Sequence, residues 1–199
     1  MSDRVGLFGG SFDPVHNAHL ALAHAALHSL QLDHVRWIPA GQPWQKSGLP
    51  MSPAKDREAM VRLAVADEPR FVVDRIEIER PGPSYTLDTV RELAAAKPNT
   101  EWLLILGNDQ YAGLQSWGGW RELLSLVTLA VANRPGQVAQ ADAAVLAFAH
   151  QVVPLPMLDI SATGVRQAVA AGADISKLVP PQVARYIENH GLYLGPTRS

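Results

Sequence analysis

Cysteine is absent from the 199 residues, which excludes disulfides, thiol nucleophiles and cysteine-ligated zinc. Charge is sparse and nearly balanced. The 17 Lys and Arg against 19 Asp and Glu leave a formal net charge of −2, which argues against a surface built to coat nucleic acid. A local phosphate site survives that argument, because it needs only a few basic groups and backbone amides. No apolar run reaches the roughly 18–20 residues of a membrane span. The opening Met1-Ser2-Asp3-Arg4 leads straight into a strand-like segment, with no signal h-region. Internal repeats, low-complexity tracts, charge blocks and linkers are also missing. With 47% hydrophobic and 18% charged residues, the chain can bury a core and lacks the composition of a disordered one. The expectation is a soluble, cytoplasmic, globular protein with neither nucleic acid nor membrane as partner. Its length fits one domain over 1–199, with 161–199 forming a C-terminal helical part.

Short apolar runs alternate with longer amphipathic ones. Arg4–Phe8 reads as a strand that stops at Gly9-Gly10, and Asn17–Leu30 is rich in Ala and Leu at helical spacing. Val35–Pro39 is a second strand, 41–53 a loop with three prolines, and Ala54–Ala66 a helix. Phe71–Ile78 reads as a strand, followed by the turn Arg80-Pro81-Gly82-Pro83 and a helix over Tyr85–Ala96 with Ser84 or Thr86 as N-cap. Glu101–Leu106 is a nearly continuous apolar run ending at Gly107, as in a strand buried on both faces, and Val127–Ala132 is another. Ser161–Ala171 and Pro181–Asn189 close the chain as helices. This alternation predicts an α/β fold, a Rossmann-like parallel sheet with helices on both faces. Ligands of such sheets bind beyond the carboxyl ends of the strands, which selects the loops starting at Gly9, Pro39, Gly107 and Asn133.

The first of these loops runs Gly9-Gly10-Ser11-Phe12-Asp13-Pro14-Val15-His16-Asn17-Ala18-His19. Two glycines after a strand let the backbone pass close to a bound group. A helix then opens, and its N-terminus offers free amides and a partial positive charge to an anion. His16 and His19 are three apart, hence on one face of the first turn, where two imidazoles can donate to phosphate oxygens. A bare His-x-x-His is more often a pair of surface residues; its place after a strand and Gly-Gly turn reverses that balance. The loop lacks the Gly-Lys-Ser/Thr of a Walker loop and the third glycine of a dinucleotide fingerprint. No third ligand accompanies the histidines, so a metal pair is disfavoured. His24 and His28 have no such context and read as ordinary helix-face residues.

Gly9 through His19 resembles the opening signature of the nucleotidyltransferase superfamily, with its His-x-Gly-His motif, and Ile160-Ser161-Ala162-Thr163-Gly164-Val165-Arg166 resembles that superfamily's Ile-Ser-Ser/Ala-Thr-x-x-Arg motif. Ala18 stands where the first motif usually has glycine. Within the superfamily the whole chain resembles the bacterial nicotinate-nucleotide adenylyltransferases. The residues that carry this are Pro83-Ser84-Tyr85-Thr86, Gly107-Asn108-Asp109, Ser116-Trp117, Asn133-Arg134-Pro135-Gly136 and the tail ending Gly191-Leu192-Tyr193. The resemblance implies a nucleotidyltransferase-type fold and a step of NAD biosynthesis. In that step the 5′-phosphate of nicotinate mononucleotide attacks the α-phosphorus of ATP, giving deamido-NAD and pyrophosphate.

It also implies roles for residues. His16, His19 and Arg166 would be catalytic. Gly9, Gly10, Ser11, Phe12, Lys46, Gly107, Asp109, Arg134, Ile160, Ser161 and Thr163 would contact ATP. Thr86, Trp117 and Gly118 would contact the nicotinate nucleotide. Mg²⁺ would accompany ATP, held mainly by phosphate and water oxygens, so no protein metal site is expected. A homo-oligomer is left open. Trp117 reads either as an indole stacked on the pyridine ring or as a loop residue packing on its neighbours. Thr86 is an N-cap candidate first and a substrate contact second. Arg134 either reaches a phosphate or is a solvated turn residue. Gln45 replaces the histidine of the family's Pro-Pro-His-Lys-like run, and Gly118 stands where relatives often carry an aromatic residue.

Three other readings compete, and only the non-catalytic regulator among them is of a different class. Another adenylyl- or cytidylyltransferase of the superfamily, such as one acting on phosphopantetheine, is disfavoured by the Thr86 and Trp117 regions. A non-catalytic nucleotide-binding regulator would have no reason to keep both histidines and Arg166. A remnant aminoacyl-tRNA synthetase core would share the fold but should carry a lysine-rich loop and an RNA-binding extension; neither is present.

Overall fold

The computed structural model describes residues 3–43, 50–133, 141–155 and 158–194. Among them, six strands form one sheet: β1 (Arg4–Gly10), β2 (His34–Pro39), β3 (Phe71–Val73), β4 (Glu101–Leu106), β5 (Thr128–Asn133) and β6 (His150–Pro154). All pairings are parallel and the order is β3-β2-β1-β4-β5-β6. The chain therefore builds outward from β1 to one edge, returns to β4 beside β1, and builds outward to the other edge. The helices are α1 (Asn17–Ser29), α2 (Ala54–Val65), α3 (Ile76–Glu79), α4 (Thr86–Ala96), α5 (Asn108–Ala112), α6 (Trp120–Leu126), α7 (Ala143–Leu146), α8 (Ala162–Ala170) and α9 (Pro181–Asn189).

Side-chain alternation along the central strands divides the interior into two layers. On one face Leu103 and Ile105 of β4 pack with Phe8, Trp37, Ala26 of α1, Met60 of α2, Val165 of α8 and Val183 of α9. On the other, Trp102, Leu104 and Leu106 pack with Leu87 and Val90 of α4, Tyr111 of α5 and Leu123 of α6. Each fully buried aliphatic side chain contributes about 1.5–3 kcal/mol. Gly6 allows the close approach at the centre, since a Cβ there would lie 2.9 Å from both Ile105 Cδ1 and Leu32 Cδ1. The direction of the chain reverses between β1 and β4, so the loops at their carboxyl ends part and leave a crevice.

The expected parallel sheet is found, with α1, α2, β4 and α9 within a residue of their expected bounds, while β1 does not stop at Gly9-Gly10 but runs through both glycines, which pair with Ile38 and Pro39. Two further expectations are corrected. Phe71–Ile78 is not one strand: β3 ends at Val73 and α3 follows. Alternation in Ile76-Glu77-Ile78-Glu79 mimics a strand, but the Asp74 carboxylate accepts the Ile76 N–H (3.0 Å) and pairs with Arg36 (2.7 Å), turning the chain out of the sheet. Neither Ser84 nor Thr86 caps α4. The N-cap is Tyr85 without a side-chain bond, Thr86 is the first helical residue, and Ser84 Oγ instead accepts the N–H groups of Gly41 and Gln42, each at 3.1 Å.

One buried charge ties the carboxyl end of the sheet together. Arg57 lies on the apolar face of α2 and is 1% exposed. Its guanidinium donates to three carbonyls: Ser11 in the loop after β1 (2.7 Å), Gly41 in the loop after β2 (3.2 Å) and Ser52 ahead of α2 (3.0 Å). Burial holds its pKa below the usual value, with Asp13 and Tyr193 opposing the shift. Replacing Arg57 by Met would leave three carbonyls without their donor. The expected loss of stability is about 3 kcal/mol or more, read as a lower urea midpoint with unchanged slope.

Candidate active site

A cavity of about 370 Å³ lies where β1 and β4 end. Its floor is the end of β1, Gly9 and Gly10, followed by Ser11, Phe12 and Asp13. Phe12 turns the chain with a left-handed φ of 48°, an unfavourable geometry for a bulky residue. Gly10 accommodates the returning ring, because a Cβ there would lie 3.1 Å from it. The N-cap of α1 is His16. Its backbone N–H donates to Nδ1 of His19 (3.2 Å), and the two imidazoles stack with centroids 3.6 Å apart. With Nδ1 accepting, the neutral His19 ring carries its proton on Nε2, as a donor. The edge of Phe12 against His19, with centroids 5.1 Å apart, fixes the ring further.

The histidines are not equivalent. His19 lines the cavity, whereas His16 lies beneath it, 6% exposed, with Nδ1 buried and unpartnered. Burial pushes the His16 pKa down to about 4. His16 is therefore an uncharged support at neutral pH, and the donor in the cavity is His19.

The second wall comes from the far end of the chain. Ser161 caps α8, its Oγ accepting the Gly164 N–H at 3.1 Å, so its own hydroxyl proton remains available. Arg166 donates to the backbone carbonyl of Asp13 (2.8 Å) and to Thr163 Oγ1 (3.2 Å), which docks α8 on the first loop and leaves three further N–H donors. The Asp13 carboxylate, 4% exposed, accepts from the Tyr193 hydroxyl (2.6 Å) and from Ser52 N–H (3.2 Å). Burial and this bond to Asp13 push the Tyr193 phenol strongly up. His19 near the start of α1 and Ala162 at the start of α8 both line the cavity, so the partial positive charge of two helix N-termini borders it, although the Asn17 N–H of α1 is itself bound to the Leu178 carbonyl (2.9 Å).

Groups of other chemistry line the same cavity: Glu77, Ser84, Thr86, Thr89, Gln110 and Trp117. Trp117 is half-buried against the second core, and Gly118 is exposed, with open space where a Cβ would stand. Gly119, with φ of 69°, caps α6 and packs so tightly on Leu87 that a side chain there would collide with it. That contact seats the Trp117 turn against the first turn of α4, beside Thr86.

Of the residues expected at the site, Gly9, Gly10, Ser11, Phe12, His19, Thr86 and Trp117 line the cavity. Ser161, Thr163 and Arg166 are joined to its rim by the bonds above, and Ile160 packs on the first core. Gly107 is the N-cap of α5, its N–H held by the Gln110 side chain (3.4 Å), and Asp109 is exposed in the first turn of that helix. Lys46 and Arg134 lie outside the described residues. Arg57, Tyr193, Glu77 and the Asp13 carboxylate were missed as site-forming groups. For Arg57 there was a signal: an arginine in register with Met60 and Val61 on the buried face of its helix. Among the described residues no group of three or more His, Asp or Glu is placed to hold a metal ion.

The burial of His16 sets a pH dependence. The unfolded chain protonates this ring near pH 6.5 and the folded one only near pH 4. Between those values the unfolded state holds more protons, so stability falls as the pH drops through the window, by about 3 kcal/mol in all. Urea titrations from pH 7 to pH 4 are expected to show that slope, and His16→Gln to flatten it.

A family model described as cytidylyltransferase-like matches residues 7–168. A protein of Methylibium petroleiphilum named "Probable nicotinate-nucleotide adenylyltransferase" is 48% identical over 199 aligned residues, covering 97% of this chain and 93% of that one. One of the same name from Bordetella petrii is 47% identical, covering 96% and 98%. In fold, the chain is similar to the nicotinic acid mononucleotide adenylyltransferase of Plasmodium falciparum complexed with NaAD. The TM-score is 0.80 at 19% identity, over 96% of this chain and 97% of that one. A match over most of the chain, together with relatives this similar over nearly their whole length, places it: the chain belongs to the cytidylyltransferase-like family and, within it, to the nicotinate-nucleotide adenylyltransferases.

Proposed function

We propose that the chain transfers the adenylyl group of ATP to nicotinate mononucleotide, forming deamido-NAD and releasing pyrophosphate. One observation carries this reading in the structure. In a single cavity His19, the start of α8 and the first loop that Arg166 holds offer donors suited to phosphates, while Thr86 and Trp117 are suited to a pyridine ring. The relatives' names supply the substrate pair.

A phosphate oxygen of the mononucleotide forms a bond to the α-phosphorus of ATP as the bond from that phosphorus to the β-phosphate bridging oxygen breaks. Such transfer needs alignment and charge neutralisation and no covalent nucleophile. The Nε2–H of His19 and the free donors of Arg166 act on the phosphate oxygens as charge shifts to the leaving group. The Ser161 hydroxyl and the first amides of α8 add neutral donors. His16 keeps His19 in position without adding charge. The divalent cation, proposed to be Mg²⁺, enters as part of the nucleotide substrate, and the cytoplasm is the proposed location.

His19→Ala is expected to lower turnover on the order of 10²-fold or more with unchanged thermal unfolding. Near-normal turnover in the folded variant overturns the assignment. Arg166→Lys is expected to be a poor substitute, because one ammonium cannot hold the Asp13 carbonyl and Thr163 and also face a phosphate. The Thr86 hydroxyl and the first amides of α4, which have no intrahelical partner, are donors, which suit a carboxylate better than a carboxamide. A preference of at least tenfold, about 1.4 kcal/mol, is therefore expected for nicotinate over nicotinamide mononucleotide. Pyrophosphate release at fixed ATP and Mg²⁺ measures kcat/KM for both. Equal values would remove Thr86 and its amides from substrate selection.

A further inference from the structure

Glu77 is a carboxylate that neither the fold nor the transfer of phosphate accounts for. It is 7% exposed, it lines the cavity, and among the described residues no Arg, Lys or His makes an ion pair with it. Carboxylates are rarely buried without a cation, because the loss of hydration is large. What Glu77 has is a set of hydroxyls. The Thr89 hydroxyl donates to it at 2.8 Å, the Tyr85 carbonyl being a longer alternative at 3.4 Å, and Arg80 donates to Thr89 Oγ1 at 2.9 Å. Arg80 is itself paired with Glu92 at 2.6 Å and reaches Glu77 only through Thr89. Burial raises the Glu77 pKa, while Thr89, Arg80 and Ser84 oppose the shift. The arrangement holds a carboxylate at the cavity wall with no ion-pair partner among the described residues, Arg80 acting on it only from beyond Thr89.

The position of Glu77 decides what can serve as its counter-charge. It lines the cavity together with Thr86 and Trp117, and its hydroxyl partner Thr89 lies one turn along α4 from Thr86. A pyridine joined to ribose through its nitrogen carries a permanent positive charge on the ring. We propose that Glu77 is the counter-ion of the pyridinium ring, so that the cavity is polarised along its length, cationic toward the phosphates and anionic toward the ring. Trp117 adds its π face to the same cation. The proposal rests on the function given above and deepens it: Thr86 reads the substituent on the ring, and Glu77 reads the ring's charge, which the acid and the amide have in common. It makes Glu77 a substrate-binding residue that selects the oxidised form of the ring.

The test compares nicotinate mononucleotide with its 1,4-dihydro form, which keeps the carboxylate, ribose and phosphate but has an uncharged ring. With ATP and Mg²⁺, the unaltered chain is expected to favour the pyridinium form at least tenfold in kcat/KM. Glu77→Gln should reduce that ratio at least fivefold by losing only on the charged ring, with the KM for ATP unchanged. Glu77→Asp, which keeps the charge, should retain most of the preference. A merely structural role would weaken both substrates equally, and that result overturns the proposal. So does a ratio near one in the unaltered chain, a reading that requires no variant to fold. If the unaltered chain releases no pyrophosphate from ATP and nicotinate mononucleotide at all, the functional reading fails and this proposal with it.

Discussion

The loops that end β1 and β2 leave the sheet without strand partners, and their carbonyls must find donors or water. Arg57 supplies those donors from below. One guanidinium, rigid and always charged, spans Ser11, Gly41 and Ser52, and its fork geometry fixes their relative positions in a way a flexible ammonium could not. The consequences reach the whole crevice. Ser11 is the step from β1 to Phe12, and Phe12 holds the edge of His19. Gly41 binds Ser84, and Ser84 sets the entry to α4 and Thr86. A buried ion of this kind is poor evidence for stability by itself. Its value lies in specifying a single arrangement of loops that have little core of their own.

Asp13 performs the corresponding task from above. Its carbonyl binds Arg166, and its carboxylate binds Tyr193 and Ser52. The walls that carry His19 and Arg166 are thus made from segments far apart in the sequence, and the wall that carries Thr86 and Trp117 from the segments between them. That division follows from the strand order. The face packed by α1, α2, α8 and α9 contributes His19 and Arg166, and the face packed by α4, α5 and α6 contributes Thr86 and Trp117. The crevice at the reversal point is where the two faces meet.

Much of the fold was legible because its signals are local. Glu101–Leu106 announces a doubly buried strand by its unbroken apolar run, and Pro181 marks the start of α9. β6 was not legible: it is an edge strand whose exposed His150 and Val152 resemble a loop. α5 and α6 are short helices whose apolar residues, Tyr111 and Leu123, make sense only against the finished core. At the site, His19 could be read from spacing after a Gly-Gly turn. The difference between His16 and His19 could not, because it depends on burial beneath a loop. Likewise, nothing local in the sequence distinguishes Glu77 from Glu79, although one faces the cavity and the other pairs with Arg75 in solvent.

The bond between Tyr193 and Asp13 joins residues 180 positions apart, and Asn17 at the start of α1 donates to the carbonyls of Lys177 and Leu178. The first loop is synthesised well before its anchors, Tyr193 by 180 positions. A nascent chain can pair β1 with β2 long before it can hold Asp13 in place. The loop beside the cavity therefore takes its final shape only after the sheet strands that flank it, when Tyr193 arrives to hold the Asp13 carboxylate.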